Sequence, residues 1–185
     1  MQIEKQLTGP RILLRDYRKS DLAFSTDMWF DEENGKYLSD PFRDYIDEAY
    51  QKALDALQDS AMGYYLIIQS RASGNLIGTL CIFPDKKRTT YDIGYCIHKK
   101  YWNQGYATEA ISLVTDWIAR QGGTSITAEV AVENTASRAL LEKCGFEIIE
   151  ETAFRKYNMD IRYKSYIYQL VIAESAILRQ KTGWQ

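Results

Sequence analysis

Residues 101–110 read YWNQGYATEA. A β-rich run ends just before this stretch and a helical run begins inside it. Gly105 permits a positive φ and lets another group approach the main chain closely. Tyr106 and Ala107 continue into the first helical turn, whose N–H groups have no intrahelical partner and all point one way. Together with the helix dipole they form a seat for a phosphate or pyrophosphate. An ordinary strand-to-helix turn with a convenient glycine also fits these residues. The loop is no G-x-x-x-x-G-K-[ST] and no G-x-G-x-x-G, so it supplies neither a phosphate-binding lysine nor a dinucleotide fingerprint. An anion bound here would be held mostly by backbone.

Working outward, Ala107, Ala110, Ile111, Val114, Trp117 and Ile118 form the apolar stripe of a helix that Gly122-Gly123 ends. Upstream lies a strand, Tyr91–His98, after a charged loop from Asp85 to Arg88. Before that, Tyr64–Gln69 and Leu76–Phe83 make a hairpin about Ser73-Gly74. Ile46, Ala49, Tyr50, Ala53, Leu54 and Leu57 share one face of a further helix. A polar loop from Asp31 to Phe42, with Gly35 and Pro41, precedes it. Ser20 or Asp21 caps a helix running toward Trp29, and the first strand is Arg11–Asp16. Downstream come a strand, Ser125–Val132, and a short helix from Asn134 to Cys144 with Gly145 as its cap. Two strands follow, Phe146–Glu151 and Tyr163–Ile172. The order β-α-α-β-β-β-α-β-α-β-β implies an α/β (α+β) sandwich around a mixed, largely antiparallel sheet.

The 185 residues suit one domain, here expected over 1–173, with 174–185 as a C-terminal tail. Trp184 in that tail would dock on the domain or mediate a dimer, so monomer and homodimer both stay open. Lys and Arg total 23 against 25 Asp and Glu, a near balance that argues against a dedicated nucleic-acid partner. Cys81, Cys96 and Cys144 match neither a disulfide framework nor a zinc site, and no metal is expected. Each lies in an apolar run and reads as a small buried hydrophobe in a reducing compartment. Cys96 and His98 share a strand face, but no third member completes a nucleophilic set. The N-terminus lacks a signal-peptide core, and no apolar run approaches the ~20 residues that span a bilayer. The expectation is a cytoplasmic protein with no membrane partner.

YWNQGYATEA resembles the coenzyme A motif of the GNAT superfamily, Q/R-x-x-G-x-G/A, which aligned on its glycine covers Trp102 to Ala107. Trp102 stands where the general pattern has Arg or Gln. It is similar instead to the YWG-x-GYATEA variant of the RimJ/RimL-like branch, the ribosomal-protein N-terminal acetyltransferases. RILLRDYRKSDL at the start, SGNLIGTLCIF in the hairpin and ENTASRALLEKCGF after the fifth strand resemble that branch too, in the same order.

The resemblance implies a GNAT-like twisted sheet flanked by helices, with Tyr91–His98 and Ser125–Val132 parallel, central and splayed apart. It implies acetyl-CoA as cosubstrate and direct acetyl transfer to an amine. Pantetheine would pair with the first of these strands at Cys96 and Ile97, as an added strand does. Pyrophosphate would sit on the N–H groups of Gln104, Gly105, Tyr106, Ala107 and Thr108, beside Trp102. Asn134 would contact the cofactor arm, cap the following helix, or both.

The chemistry needs a base for the amine and donors for an oxyanion, the latter expected on the main chain near Ile97. The tyrosine acid of many members, in N-x-x-A-x-x-x-Y, is here Leu141. Ser137, in the N-x-x-S pattern, is its expected substitute, or else makes only a local helix bond. Asp92 in YDIGY and Glu129 are rival bases, and each also suits a solvent-facing strand charge. His98, beside Lys99-Lys100, is a third and is expected at the surface. Water could relay the proton for any of them. Trp29, Phe30, Asp31, Glu32, Glu33, Tyr37 and Asp40 mark an acceptor region. It would take a protein N-terminal amine, a polyamine or an aminoglycoside-like small molecule, or be a plain solvated loop. A non-catalytic acyl-CoA sensor and a module for another phosphate ligand are the remaining alternatives.

Overall fold

The computed structural model describes residues 1–39, 47–157 and 159–172. Asp40, Pro41, Phe42, Ile46 and the 174–185 tail lie outside the described residues. The strands are β1 (Leu7–Thr8), β2 (Ile12–Asp16), β3 (Tyr64–Ser70), β4 (Leu76–Pro84), β5 (Thr90–Ile97), β6 (Ser125–Ala131), β7 (Glu147–Arg155) and β8 (Arg162–Val171). They form one sheet in the order β1-β2-β3-β4-β5-β6-β8-β7. Every neighbouring pair is antiparallel except β5–β6, which is parallel. The α-helices among the described residues are α1 (Leu22–Phe30), α2 (Glu48–Asp55), α3 (Tyr106–Arg120) and α4 (Thr135–Lys143). This is the expected α+β class. None of the helices among the described residues is long and apolar enough to cross a membrane.

Side chains alternate across each strand, which gives the sheet two distinct faces. One carries Leu66, Leu80, Ile82, Tyr91, Ile93, Ile126 and Ala128, all in one buried cluster with Ala110, Ile111, Val114, Trp117 and Ile118 of α3. Tyr64 and Tyr91 set their rings edgewise to Trp117, at 4.9 and 6.3 Å between centroids. Burying each large apolar side chain here contributes about 2 kcal/mol. The other face carries α1, whose Trp29 Nε1 donates to Thr79 Oγ1 on β4 at 3.1 Å.

Some boundaries differ from expectation. β1 spans only two residues, too few to show a period. β7 continues to Arg155 because β8 pairs with it through Arg162. Its outer positions are exposed almost throughout, so no alternation marked its length. α2 is shorter than expected, and a 3-10 turn follows at Leu57–Asp59. Ala49 and Ala53 are exposed and, within the helix, Leu54 alone is buried. The apolar face of α2 borders an open cleft instead of a closed core.

A buried ion pair fixes α1 to the sheet. Arg15 Nη1 and Nη2 donate to the two carboxylate oxygens of Asp21 at 2.7 and 2.8 Å, and Arg18 N donates to Oδ2 at 2.9 Å. Burial opposes the charged form of Asp21, but the Arg15 and Arg18 donors outweigh it and lower its pKa below 3.8. A carboxylate whose folded pKa is depressed contributes stability above its unfolded value and loses it as pH falls through the folded one. Asp21→Asn should therefore cost about 3–5 kcal/mol in urea unfolding at pH 7, since it strands a buried guanidinium. The deficit should shrink as pH falls below 3.8 toward the lower pKa of the folded carboxylate, where the wild type loses the same pair. A constant deficit from pH 7 to pH 3 would show that the pair does not supply it.

Candidate active site

β5 and β6 pair only at Thr90–Ser125, Tyr91–Ile126 and Asp92–Thr127. Beyond Asp92, β5 stays bonded to β4 as far as Ile97, and β6 stays bonded to β8 as far as Ala131. Each strand is held on its outer side, so the sheet opens as a wedge between them. His98 N donates back to Ile77 O at 2.9 Å. Antiparallel alternation then turns the N–H groups of Tyr95 and Ile97 away from β4 and into the wedge. The Ile97 carbonyl is already occupied, by Trp102 Nε1 at 2.7 Å and Asn34 Nδ2 at 3.1 Å.

The loop that follows is a cradle. Gly105 is the N-cap of α3 at φ +78°, where an added Cβ would lie 3.3 Å from Arg11 Nη2. Among the described residues, no acceptor bonds the N–H groups of Gln104, Gly105, Tyr106, Ala107 or Thr108. These are the orphan donors expected from YWNQGYATEA. Glu109, one turn into α3, accepts from Arg11 N at 2.8 Å, Arg11 Nε at 2.8 Å and Ile12 N at 3.1 Å. Arg11 Nη1 in turn donates to Gln104 O at 2.8 Å. The start of β2 thus clamps the cradle from behind. Burial works against the Glu109 carboxylate, but the Arg11 donors and charge prevail and lower its pKa below 4.5.

A cleft of about 1210 Å³ runs from the cradle through the wedge to α2. A separate cleft of about 610 Å³, between residues 2–6 and the turn from Arg15 to Ser20, shares only Tyr17 with its lining and none of the candidate site residues. The larger cleft is lined by every candidate site residue but Gln104: Cys96, Ile97, Trp102, Gly105, Tyr106, Ala107, Thr108, Asn134, Ser137, Asp92 and Glu129. The candidates separate by face. Asp92 and Thr127 are register partners, and Thr127 Oγ1 donates to Asp92 Oδ1 at 2.8 Å. Glu129 shares their face, and its Oε1 accepts from Ser165 Oγ at 2.6 Å. Tyr95 belongs to the opposite face, as does its partner Ser137, whose Oγ lies 2.5 Å from the Tyr95 hydroxyl. The wedge is the passage between the two groups. Loss of solvent pushes the Asp92 pKa up, against the Thr127 hydrogen bond and with the help of the Glu129 charge.

Asn134 does cap α4: its Oδ1 accepts from Ser137 N at 3.2 Å. Its amide nitrogen has no hydrogen-bond partner among the described residues. Leu141 is fully buried and serves packing alone. His98 is not at the surface: it is 7% exposed, stacked on Phe24 with centroids 6.0 Å apart and edged by Tyr101. Those rings, and not the neighbouring lysines, decide its burial. Cys96 is buried, whereas Cys81 and Cys144 are half-buried, and none of the three forms a disulfide among the described residues.

Sequence reasoning missed Tyr95, Arg11 and a strap over the carboxylate side of the wedge. Residues 31–39 form that strap. Asn34 Oδ1 accepts from Lys99 N at 2.7 Å, and Lys99 Nζ reaches Asp31 Oδ2 at 2.7 Å. Gly35 sits where a Cβ would lie 2.0 Å from Trp29 O, so no other residue fits this turn. At its far end, the fully buried Lys156 donates to Gly35 O at 2.9 Å and Leu38 O at 2.7 Å. Tyr163 hydroxyl donates to Lys36 O at 3.0 Å, and Tyr37 hydroxyl donates to Glu133 O at 3.3 Å. Only the glycine and the acidic and aromatic content of this strap were visible in the sequence.

Residues 11–147 match the acetyltransferase (GNAT) domain family. YoaA of Bacillus subtilis, an uncharacterised N-acetyltransferase, is 28% identical over 171 residues, covering 89% of this chain and 96% of that one. The fold is shared with a spermidine N-acetyltransferase from Vibrio cholerae, solved with CoA and spermine. The TM-score is 0.75 at 19% identity, covering 92% of this chain and 99% of that one. It is also shared with a Salmonella typhimurium acetyltransferase that modifies the N-terminal serine of ribosomal protein L7/L12. There the TM-score is 0.76 at 15% identity, covering 91% of this chain and 100% of that one. The match runs from the Arg11 clamp through the cradle and both strands of the wedge to the start of β7, and on that ground the chain belongs to the GNAT family of acetyl-CoA-dependent N-acetyltransferases.

Proposed function

We propose that residues 1–173 move an acetyl group directly from acetyl-CoA to a primary amine, first among candidates the N-terminal α-amine of a protein or peptide. The wedge carries this reading: a carboxylate pair lines one of its faces and a hydroxyl pair the other. The chain's donors fit the cosubstrate. The free N–H groups at 104–108 suit its pyrophosphate. The Tyr95 and Ile97 N–H groups suit its pantetheine amides and the oxyanion. Trp102 holds the end of β5 in place for that pairing. Acetyl-CoA supplies an activated thioester carbonyl.

The protein's part is positioning and proton handling. A neutral amine must be presented from the carboxylate face, and Asp92, whose raised pKa makes it a better acceptor than an ordinary aspartate, takes its proton directly or through water. Glu129, held by Ser165, is the second acceptor. Ser137, on the opposite face, donates a hydrogen bond to the departing sulfur. Trp29, Tyr50, Tyr65, Phe83, Leu54 and Leu57 line the acceptor half and suit an amine attached to an apolar body. A peptide N-terminus is such an amine. Polyamines and aminoglycoside-like amines, with more charge and less apolar surface, are the comparison substrates in a thiol-release screen, and preference for them would replace the peptide assignment.

Two variants test the site. Asp92→Asn should lower kcat by about 100-fold, the usual scale of a lost general base, with acetyl-CoA affinity retained in calorimetry. Wild-type turnover in that variant would move the role to Glu129 or to water. Gly105→Val should raise the CoA dissociation constant about 10-fold or more, because a β-branched residue at φ +78° costs about 1–3 kcal/mol and crowds the cradle. Unchanged affinity would remove the cradle from cofactor binding.

A further inference from the structure

Tyr95 is the one phenol among the described residues that reaches Ser137, and nothing in the motifs points to it. Its hydroxyl lies 2.5 Å from Ser137 Oγ. The Ser137 main chain is fixed independently, by its N–H on Asn134 Oδ1 at 3.2 Å. Two hydroxyls in contact share one hydrogen between them and leave the other to be aimed elsewhere. A phenol, with an ordinary pKa of about 10, donates far more readily than an alkyl alcohol. Tyr95 therefore gives its hydrogen to Ser137 Oγ, and the Ser137 hydrogen is left for the cleft that both residues line. Burial keeps that donor protonated, pushing the Tyr95 pKa up to about 12 against the opposing effect of the Ser137 bond.

We propose that Tyr95 is a positioning residue that turns the Ser137 hydroxyl hydrogen toward the departing sulfur. This rests on the reading of Ser137 given above. In the step it serves, the amine nitrogen forms a bond to the acetyl carbon and the carbon–sulfur bond breaks, its electron pair going to sulfur. The proton lost by the amine passes to Asp92 or water. The sulfur leaves hydrogen-bonded to Ser137 and ends as the free thiol by taking up one proton from solvent. Tyr95 keeps its own proton throughout. It touches no reacting atom.

The test is a mutant cycle of Tyr95→Phe, Ser137→Ala and the double variant, with kcat, acetyl-CoA dissociation constants and pH profiles for each. Tyr95→Phe keeps the ring and its packing. It should lower kcat about 10-fold with acetyl-CoA affinity unchanged, equally at pH 7 and pH 9, and the double variant should be no slower than Ser137→Ala, as coupled residues behave. In the ligand-free protein labelled with 13Cζ-tyrosine, Ser137→Ala should shift the Tyr95 resonance. Full turnover in Tyr95→Phe beside an impaired Ser137→Ala would overturn the role of Tyr95 alone. Full turnover in Ser137→Ala would overturn the reading of Ser137 beneath it. Multiplicative losses in the double variant, or an unmoved resonance, would overturn the coupling.

Discussion

The constraint on which this molecule depends is a parallel strand pair that closes at one end only. An unpaired strand edge in mid-sheet is costly, because main-chain donors and acceptors seek partners. β5 and β6 would zip together if either were loose. Neither is: β4 holds β5 and β8 holds β6 along their outer sides. The end of β5 is pinned further, through the doubly bonded Ile97 carbonyl. The open donors are thus a product of bonds made elsewhere, and in the reading proposed above they take a ligand that pairs as a strand does.

The same opening gives the sheet a hole connecting its two faces. In the reaction proposed above, that hole separates proton acceptance from leaving-group stabilisation. Carboxylates at Asp92 and Glu129 stand on one side and hydroxyls at Tyr95 and Ser137 on the other. A carboxylate beside the departing sulfur would repel a developing thiolate, and the two-sided arrangement avoids it. Strand alternation accomplishes this with residues only three apart in the chain, 92 and 95.

Local signals carried much of this in the sequence. Gly105 needed a left-handed φ, and the period changed from two to 3.6 around it, so the strand, loop and helix of the cradle were readable as such. What escaped is non-local. Arg11 and Glu109 meet across 98 positions, and Tyr95 and Ser137 across 42. No spacing rule links such pairs. His98 was misplaced because its sequence neighbours are lysines while its spatial neighbours are aromatic rings. The stripe on α2 was read correctly as apolar, but periodicity cannot tell a face that meets a core from one that borders a cleft.

The strap has a further bearing on how such a protein can diverge. In the reading proposed above, the grip on the acetyl donor is encoded almost contiguously, from β5 to α4. The wall that would face the amine is assembled from a segment before it and a hairpin after it, joined by the Lys156 ammonium across 121 positions. Those outer pieces can be exchanged or remodelled while the inherited handle for the thioester stays as it is. One ancestral scaffold can in this way be fitted to many amines.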